Sequence, residues 1–180
     1  DEQISCEDDI QIGTPTVTTE CGQGFDVSTT GPTLISGNGG CDGATYEVVY
    51  TATDDCGKTA SCTQTFTLNI DGPQITCPSD EQVNCYADIS EGTPTVTTEC
   101  DLGYTVSTAG PTLVSGNDGC DQAVYEITYT ATDDCGKSNS CVQTFTLNVQ
   151  APIIECPADL TVECKVDIAG GSPFVMTECN

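Results

Sequence analysis

Residues 46–70 read YEVVYTATDDCGKTASCTQTFTLNI. In YEVVYTATD, Tyr46, Val48, Tyr50 and Ala52 fall on one face of an extended chain, and Glu47, Val49, Thr51 and Thr53 on the other. In TQTFTLNI, Phe66, Leu68 and Ile70 share one face while Thr65, Thr67 and Asn69 share the other. Successive side chains of a pleated strand point opposite ways, so alternation of period two marks strands with one buried face. The DDCGKTASC between them contains Gly and no apolar run, and the two strands read as a hairpin.

The same block returns as YEITYTATDDCGKSNSCVQTFTLNV at 125–149, a shift of 79 residues. GTPTVTTEC at 13–21 recurs at 92–100 and, as GSPFVMTEC, at 171–179. Residues 1–79 and 80–158 share 53 of 79 identities without a gap, and 159–180 open a third copy. Shorter strands are expected at 74–77, around Val83, and at 94–99, 104–108 and 111–115. Helical periodicity is missing throughout. Six or seven short strands per period, separated by Gly, Pro and Asn, predict an all-β chain of tandem immunoglobulin-like β-sandwich repeats. Pro and Gly interrupt the pattern at Asp71-Gly72-Pro73 and near Gln150-Ala151-Pro152. These breaks divide the chain into 1–71 (a repeat lacking its first strand), 72–149 (a complete repeat) and 150–180 (the opening strands of a third).

Composition narrows the function. Three lysines, Lys58, Lys137 and Lys165, face 28 acids, giving a net charge of −25, and there is no His, Arg or Trp. Nucleic-acid binding needs cations against phosphates, so it is excluded. Without His the usual general base and the commonest metal ligand are missing, and the chain is expected not to be an enzyme. No run of about 20 apolar residues is present to insert in a membrane. Fourteen cysteines with no CxxC pair fit a disulfide scaffold formed in an oxidising compartment better than a thiolate metal site. The chain is therefore expected to be secreted, extracellular or at the cell surface.

The order ITCP, VNC, TEC, GCD, YTATDDCGK and SCVQTFTLNV resembles the cysteine-rich form of the HYR (hyalin repeat) domain found in large repetitive surface proteins of the Bacteroidota. The resemblance covers the whole period. It implies an extracellular Ig-like module of adhesive or filamentous proteins, and it carries over no catalytic residues.

Cys41 and Cys56 flank a strand and would stand over about 20 Å apart, too far to bridge. Strand order in a Greek-key sandwich predicts Cys21–Cys56 and Cys100–Cys135 at one end, and Cys6–Cys41 and Cys85–Cys120 at the other. Cys77 in the first strand and Cys141 in the last are expected to bridge. A cross-hairpin Cys56–Cys62 bridge is the competing scheme. Cys62, Cys156, Cys164 and Cys179 then need partners outside the chain, which leads to the expectation of a longer tandem polypeptide, with strand donation between identical chains as the alternative. Gathered at one end of each sandwich, Glu20, Asp54 and Asp55, and likewise Glu99, Asp133 and Asp134, would offer an oxygen-only site for calcium. Turn capping is the competing role for these acids. Serine and threonine number 40, many beside proline, and are candidate acceptors for covalent O-glycans. The leading role is a structural module of a filament, stalk or surface fibre, in contact with adjacent repeats of the same polypeptide or identical chains. The alternative is an adhesin binding glycans or a receptor, with calcium as an optional aid and no cofactor required.

Overall fold

The computed structural model describes residues 2–22, 24–161, 163–165, 169–177 and 179, apart from the side chain of Cys21. It is all-β. The strands are β1 (Glu2–Ile4), β2 (Phe25–Ser36), β3 (Thr45–Asp54), β4 (Thr59–Leu68), β5 (Gln74–Thr76), β6 (Glu81–Val83), β7 (Thr95–Thr97), β8 (Tyr104–Ser115), β9 (Val124–Asp133), β10 (Ser138–Leu147), β11 (Ile153–Glu155) and β12 (Phe174–Met176). Helical structure among the described residues is limited to single 3-10 turns. Two four-stranded sheets have the orders β1-β4-β3-β2 and β6-β10-β9-β8, and two-stranded sheets pair β5 with β7 and β11 with β12.

The chain forms two compact, sandwich-like units. The first contains Asp1–Ile75, Val96–Val106 and Thr130–Asn139; the second contains Thr76–Thr95, Ser107–Tyr129 and Ser140–Asn180. The segments read from the sequence are contiguous, whereas each unit is assembled from three separate stretches. The first unit thus combines nearly all of one sequence period with two short pieces of the next.

In the first unit β3 and β4 pair antiparallel with Tyr46 opposite Phe66 and Tyr50 opposite Cys62, and β1 runs parallel to β4. The hairpin turn is shorter than the sequence suggests. β4 begins at Thr59, so only residues 55–58 lie outside the strands, and Cys62 is a strand residue. The reason is local: Asp54 Oδ1 accepts the Cys56 and Lys58 amides at 2.9 and 2.8 Å, satisfying the turn from within. The two short strands expected at 104–108 and 111–115 are one strand, β8. In its counterpart β2 the register against β3 shifts between Thr30 and Thr33. There Gly31 has φ 113°, and a Cβ on it would stand 2.5 Å from the Glu47 carbonyl oxygen, so only glycine lets the strands stay this close.

The core of this unit is Ala44, Tyr46, Val48, Tyr50, Phe66, Leu68 and Ile70, the faces anticipated from alternation. Ile4, Ile10, Cys100 and Leu102 pack against it. Two of those four belong to the second sequence repeat. The tyrosines place their rings in the core and their hydroxyls at its rim, where each finds a partner: Tyr46 donates to Glu7 at 2.6 Å and Tyr50 to Gln64 at 2.8 Å. In the second unit Tyr125, Ile127, Tyr129, Phe145 and Leu147 are buried likewise. Its Tyr129 hydroxyl donates to Gln143 at 2.9 Å, and Gln143 Nε2 donates to the Ser79 carbonyl at 2.8 Å.

Four bridges join Cys6–Cys100, Cys41–Cys135, Cys77–Cys141 and Cys85–Cys179. Three of these correct the expected scheme. Cys6 does not pair with Cys41, Cys100 does not pair with Cys135, and Cys85 does not pair with Cys120, because a unit is not closed within its own period. Cys179, expected to lack a partner in the chain, bonds to Cys85. Cys120, expected to be bridged, is an exposed free thiol, as are Cys62, Cys156 and Cys164. The expected Cys21–Cys56 pair involves the Cys21 side chain and lies outside the described residues.

Phe66 is fully buried among the tyrosines, so Phe66→Ala is expected to destabilise the first unit by about 3–5 kcal/mol. The exposed Thr63→Ala is expected to change stability by no more than about 0.5 kcal/mol. Urea unfolding of the oxidised protein measures both.

Candidate functional site, a clasp in the first unit

The turn joining β9 and β10 is built like its counterpart between β3 and β4. Asp133 is 5% exposed, and its Oδ1 accepts the Cys135 and Lys137 amides at 3.0 and 2.9 Å. The Asp133 amide donates to the Lys137 carbonyl at 2.9 Å, closing the turn. With its backbone satisfied this way, the turn presents the Cys135 sulfur and the Lys137 ammonium.

Both find partners from the first repeat. Cys135 bonds to Cys41, with Cα atoms 5.6 Å apart. Lys137 Nζ lies 2.9 Å from Asp42 Oδ2 and donates to the Ile70 carbonyl as well. Asp42 Oδ1 accepts the Ile70 amide at 3.0 Å, so one carboxylate and one ammonium close a loop around the end of β4. The position of Cys41 is set from beneath by Tyr46, whose hydroxyl accepts the Gly40 amide at 3.0 Å while donating to Glu7. Burial and the Glu7 carboxylate both push the Tyr46 hydroxyl above its ordinary pKa, which keeps it a neutral donor.

The second fastening is Cys6–Cys100, with Cα atoms 5.5 Å apart. The Cys6 amide donates to Asp9 at 3.0 Å, and beside Cys100 the Glu99 carboxylate accepts the Asp71 amide at 2.9 Å. The sequence separation is 94 for both fastenings and again for Cys85–Cys179 in the second unit. That number is the period of 79 plus the 15 residues from VNC to TEC, or from GCD to DDCG. Each of these bridges therefore joins one repeat to the next.

Four of the six acids assigned to calcium accept backbone amides. Asp54 and Asp133 cap their turns, Asp55 accepts the Gly24 amide at 3.0 Å, and Glu99 accepts the Asp71 amide. The Asp134 amide donates to the Gly103 carbonyl at 2.9 Å, fastening the same turn from its other side. Glu20 and Asp54 do line a common groove, with Lys58 beside them. Among the described residues no group of three or more His, Cys, Asp or Glu side chains is placed to hold a metal ion. The calcium expectation thus has no gathered set of three ligands behind it among the described residues.

Asp42 and Lys137 were not singled out as a pair by sequence reasoning. A signal existed: two of the chain's three lysines, Lys58 and Lys137, stand at the same phase of the repeat.

No family model and no curated protein matches the chain. Among solved structures it is similar to one described as "Protocadherin gammaB7 EC3-6 cis-dimer structure", at 21% identity over 86% of this chain and 48% of that one, with a TM-score of 0.32. The chain thus spans about half the length of that one, and a likeness of this size assigns it no role.

The Lys137 hydrogen bond, followed by the Ile70 amide, holds the Asp42 carboxyl below its ordinary pKa. A depressed folded-state pKa gives stability that is present above the unfolded value of about 3.9 and is lost as pH falls through the folded one. The melting temperature of the parent is therefore expected to exceed that of Lys137→Met modestly at pH 7, with the gap closing at pH 2. Both groups are more than a third exposed, so the gap is small at any pH. The covalent part is larger: Cys41→Ser with Cys135→Ser is expected to cost about 2–5 kcal/mol in thermal or urea unfolding.

Proposed function

We propose that this chain is a structural segment of an extracellular filament, stalk or surface fibre built from tandem repeats. The observation that carries the reading is the constant separation of 94 between bridged cysteines. A module that only folds and displays a site needs no covalent bond to its neighbour. A module that resists being drawn out does, since a bridge from each repeat to the next shortens the chain that tension can extend. The shortest bonded path through the chain runs from residue 1 to Cys6, across to Cys100, back to Cys85 and across to Cys179. That path holds about 22 residues of backbone, or roughly 80 Å when extended, against roughly 630 Å for the reduced chain of 180 residues.

Other features support the same role. Disulfides persist in oxidising surroundings, which supports a role outside the cytoplasm. The −11 carried by each full period keeps neighbouring fibres apart by mutual repulsion. The hyalin-repeat resemblance of the sequence belongs to the same class of surface protein.

Single-molecule stretching provides the test. The oxidised protein is expected to resist extension beyond roughly 80 Å, and treatment with a phosphine reductant to release roughly 500 Å more. Equal extension before and after reduction would remove the mechanical role. Binding of the unmodified protein to immobilised glycans would instead favour the adhesin.

A further inference from the structure

The two repeats satisfy one buried tyrosine in different ways. In the first unit the Tyr46 hydroxyl donates to Glu7 at 2.6 Å, and position 39 is a glycine. One period on, Tyr86 stands in place of Glu7 and Asp118 in place of Gly39, and the Tyr125 hydroxyl donates to Asp118 at 2.5 Å. The carboxylate has moved to the loop before β9, and a ring has taken its former position. That ring is 47% exposed, with its centroid 5.0 Å from the ring of Tyr125.

With Pro111 and Leu113 of β8 and with Gly119, these residues line a hollow of about 550 Å³, wholly within the second unit. Its exposure does not come from the end of the chain. In the first unit, where the following repeat is fastened in place, Glu7, Pro32, Leu34 and Gly39 at the same phases are all exposed.

The hydrogen bonds of the hollow decide what it can hold. The Gly119 amide donates to the Tyr125 hydroxyl at 2.8 Å and that hydroxyl donates to Asp118, so both donors at the floor are spent. A carboxylate has several acceptor positions, and this bond uses one of them. The face of the Tyr86 ring is a second electron-rich surface, and none of the lining residues is a cation. A neutral sugar needs donors as well as acceptors, whereas an organic cation needs acceptors, a ring face and apolar walls for its stem. In a chain of net charge −25 the cation is also the ligand that the field attracts.

We propose that this hollow binds an alkylammonium group, with Asp118 as its counter-ion, Tyr86 as the ring it rests on, and Pro111 and Leu113 against its hydrocarbon stem. A lysine side chain of a partner protein and a small quaternary amine both carry that chemistry. The first unit has the carboxylate of Glu7 without a ring beside it, so the site belongs to the second unit and the first serves as its internal control.

The inference goes beyond the fibre reading and does not rest on it. The test is an NMR titration of the oxidised full chain with choline, with N-acetyl-lysine amide and with dimethylbutanol, the neutral isostere of choline. Salt at about 0.15 M screens diffuse attraction to the acidic surface beyond about 8 Å. Saturable shifts are expected at the Tyr86 and Tyr125 rings and at the Asp118 and Gly119 amides, with none of that size at Tyr46. The isostere is expected to bind at least about tenfold more weakly than choline. Asp118→Asn keeps an acceptor for Tyr125 while removing the charge, and Tyr86→Leu keeps apolar bulk while removing the ring. Each is expected to weaken binding about threefold or more, with melting temperatures showing that both variants fold. Tighter binding of choline would identify a small amine as the source, and tighter binding of the lysine probe a partner protein; either upholds the site. Equal binding of the isostere, shifts that do not saturate, an equal response at Tyr46, or folded variants that bind like the parent would overturn it. Those outcomes leave the extension measured by stretching unchanged, so the two readings stand or fall separately.

Discussion

A sheet that gathers Tyr46, Val48, Tyr50, Phe66 and Leu68 on one face has to have that face covered, and the repeat that makes the sheet does not supply the whole cover. Ile4 and Ile10 come from its own opening residues, while Cys100 and Leu102 come from the repeat that follows. Apolar area left in water costs on the order of 25 cal/mol per Å², so the incoming segments are bound by the same force that forms the core. The offset between sequence period and folded unit follows from this, and the offset in turn dictates the disulfide register. A cysteine on an incoming segment meets a cysteine beside a strand end of the receiving repeat, and that pair is necessarily separated by more than one period.

The clasp around Cys41–Cys135 shows how few cations such an acidic chain needs when they are placed well. Lys137 neutralises Asp42 and accompanies the Ile70 carbonyl at the end of β4. The ion pair is half exposed and weak by itself. Its contribution is geometric, because it holds the turn from Asp133 to Lys137 against the first repeat where the disulfide closes. Among the described residues no second ion pair is recorded, so most of the charge of −25 is left without a cationic partner there.

The carboxylates illustrate how similar sequence signals separate in space. Asp54-Asp55 and Asp133-Asp134 look like paired metal ligands when written in a line. In a tight turn, however, the first aspartate of each pair is the nearest acceptor for amides two and four residues on, and the local bonds form.

Strand positions, the buried faces and the all-β class are legible from Tyr46 to Ile70 alone, because side-chain alternation is a property of neighbouring residues and survives any tertiary arrangement. The Cys77–Cys141 bridge is legible because its cysteines stand 64 residues apart, within one period, although it ties the end of β5 to β10 in a different sheet. The continuity of β8 through Pro111, the start of β4 at Thr59 and the partners of Cys6, Cys41 and Cys85 are not. The first two depend on hydrogen bonds across the sheet and within the turn. The last depends on which repeat supplies the cover for a given core, and an identical sequence one period away satisfies the same local rules. Only the packing of Cys100 and Leu102 on the first core, with Cys135 against Cys41, distinguishes the next repeat from the same one.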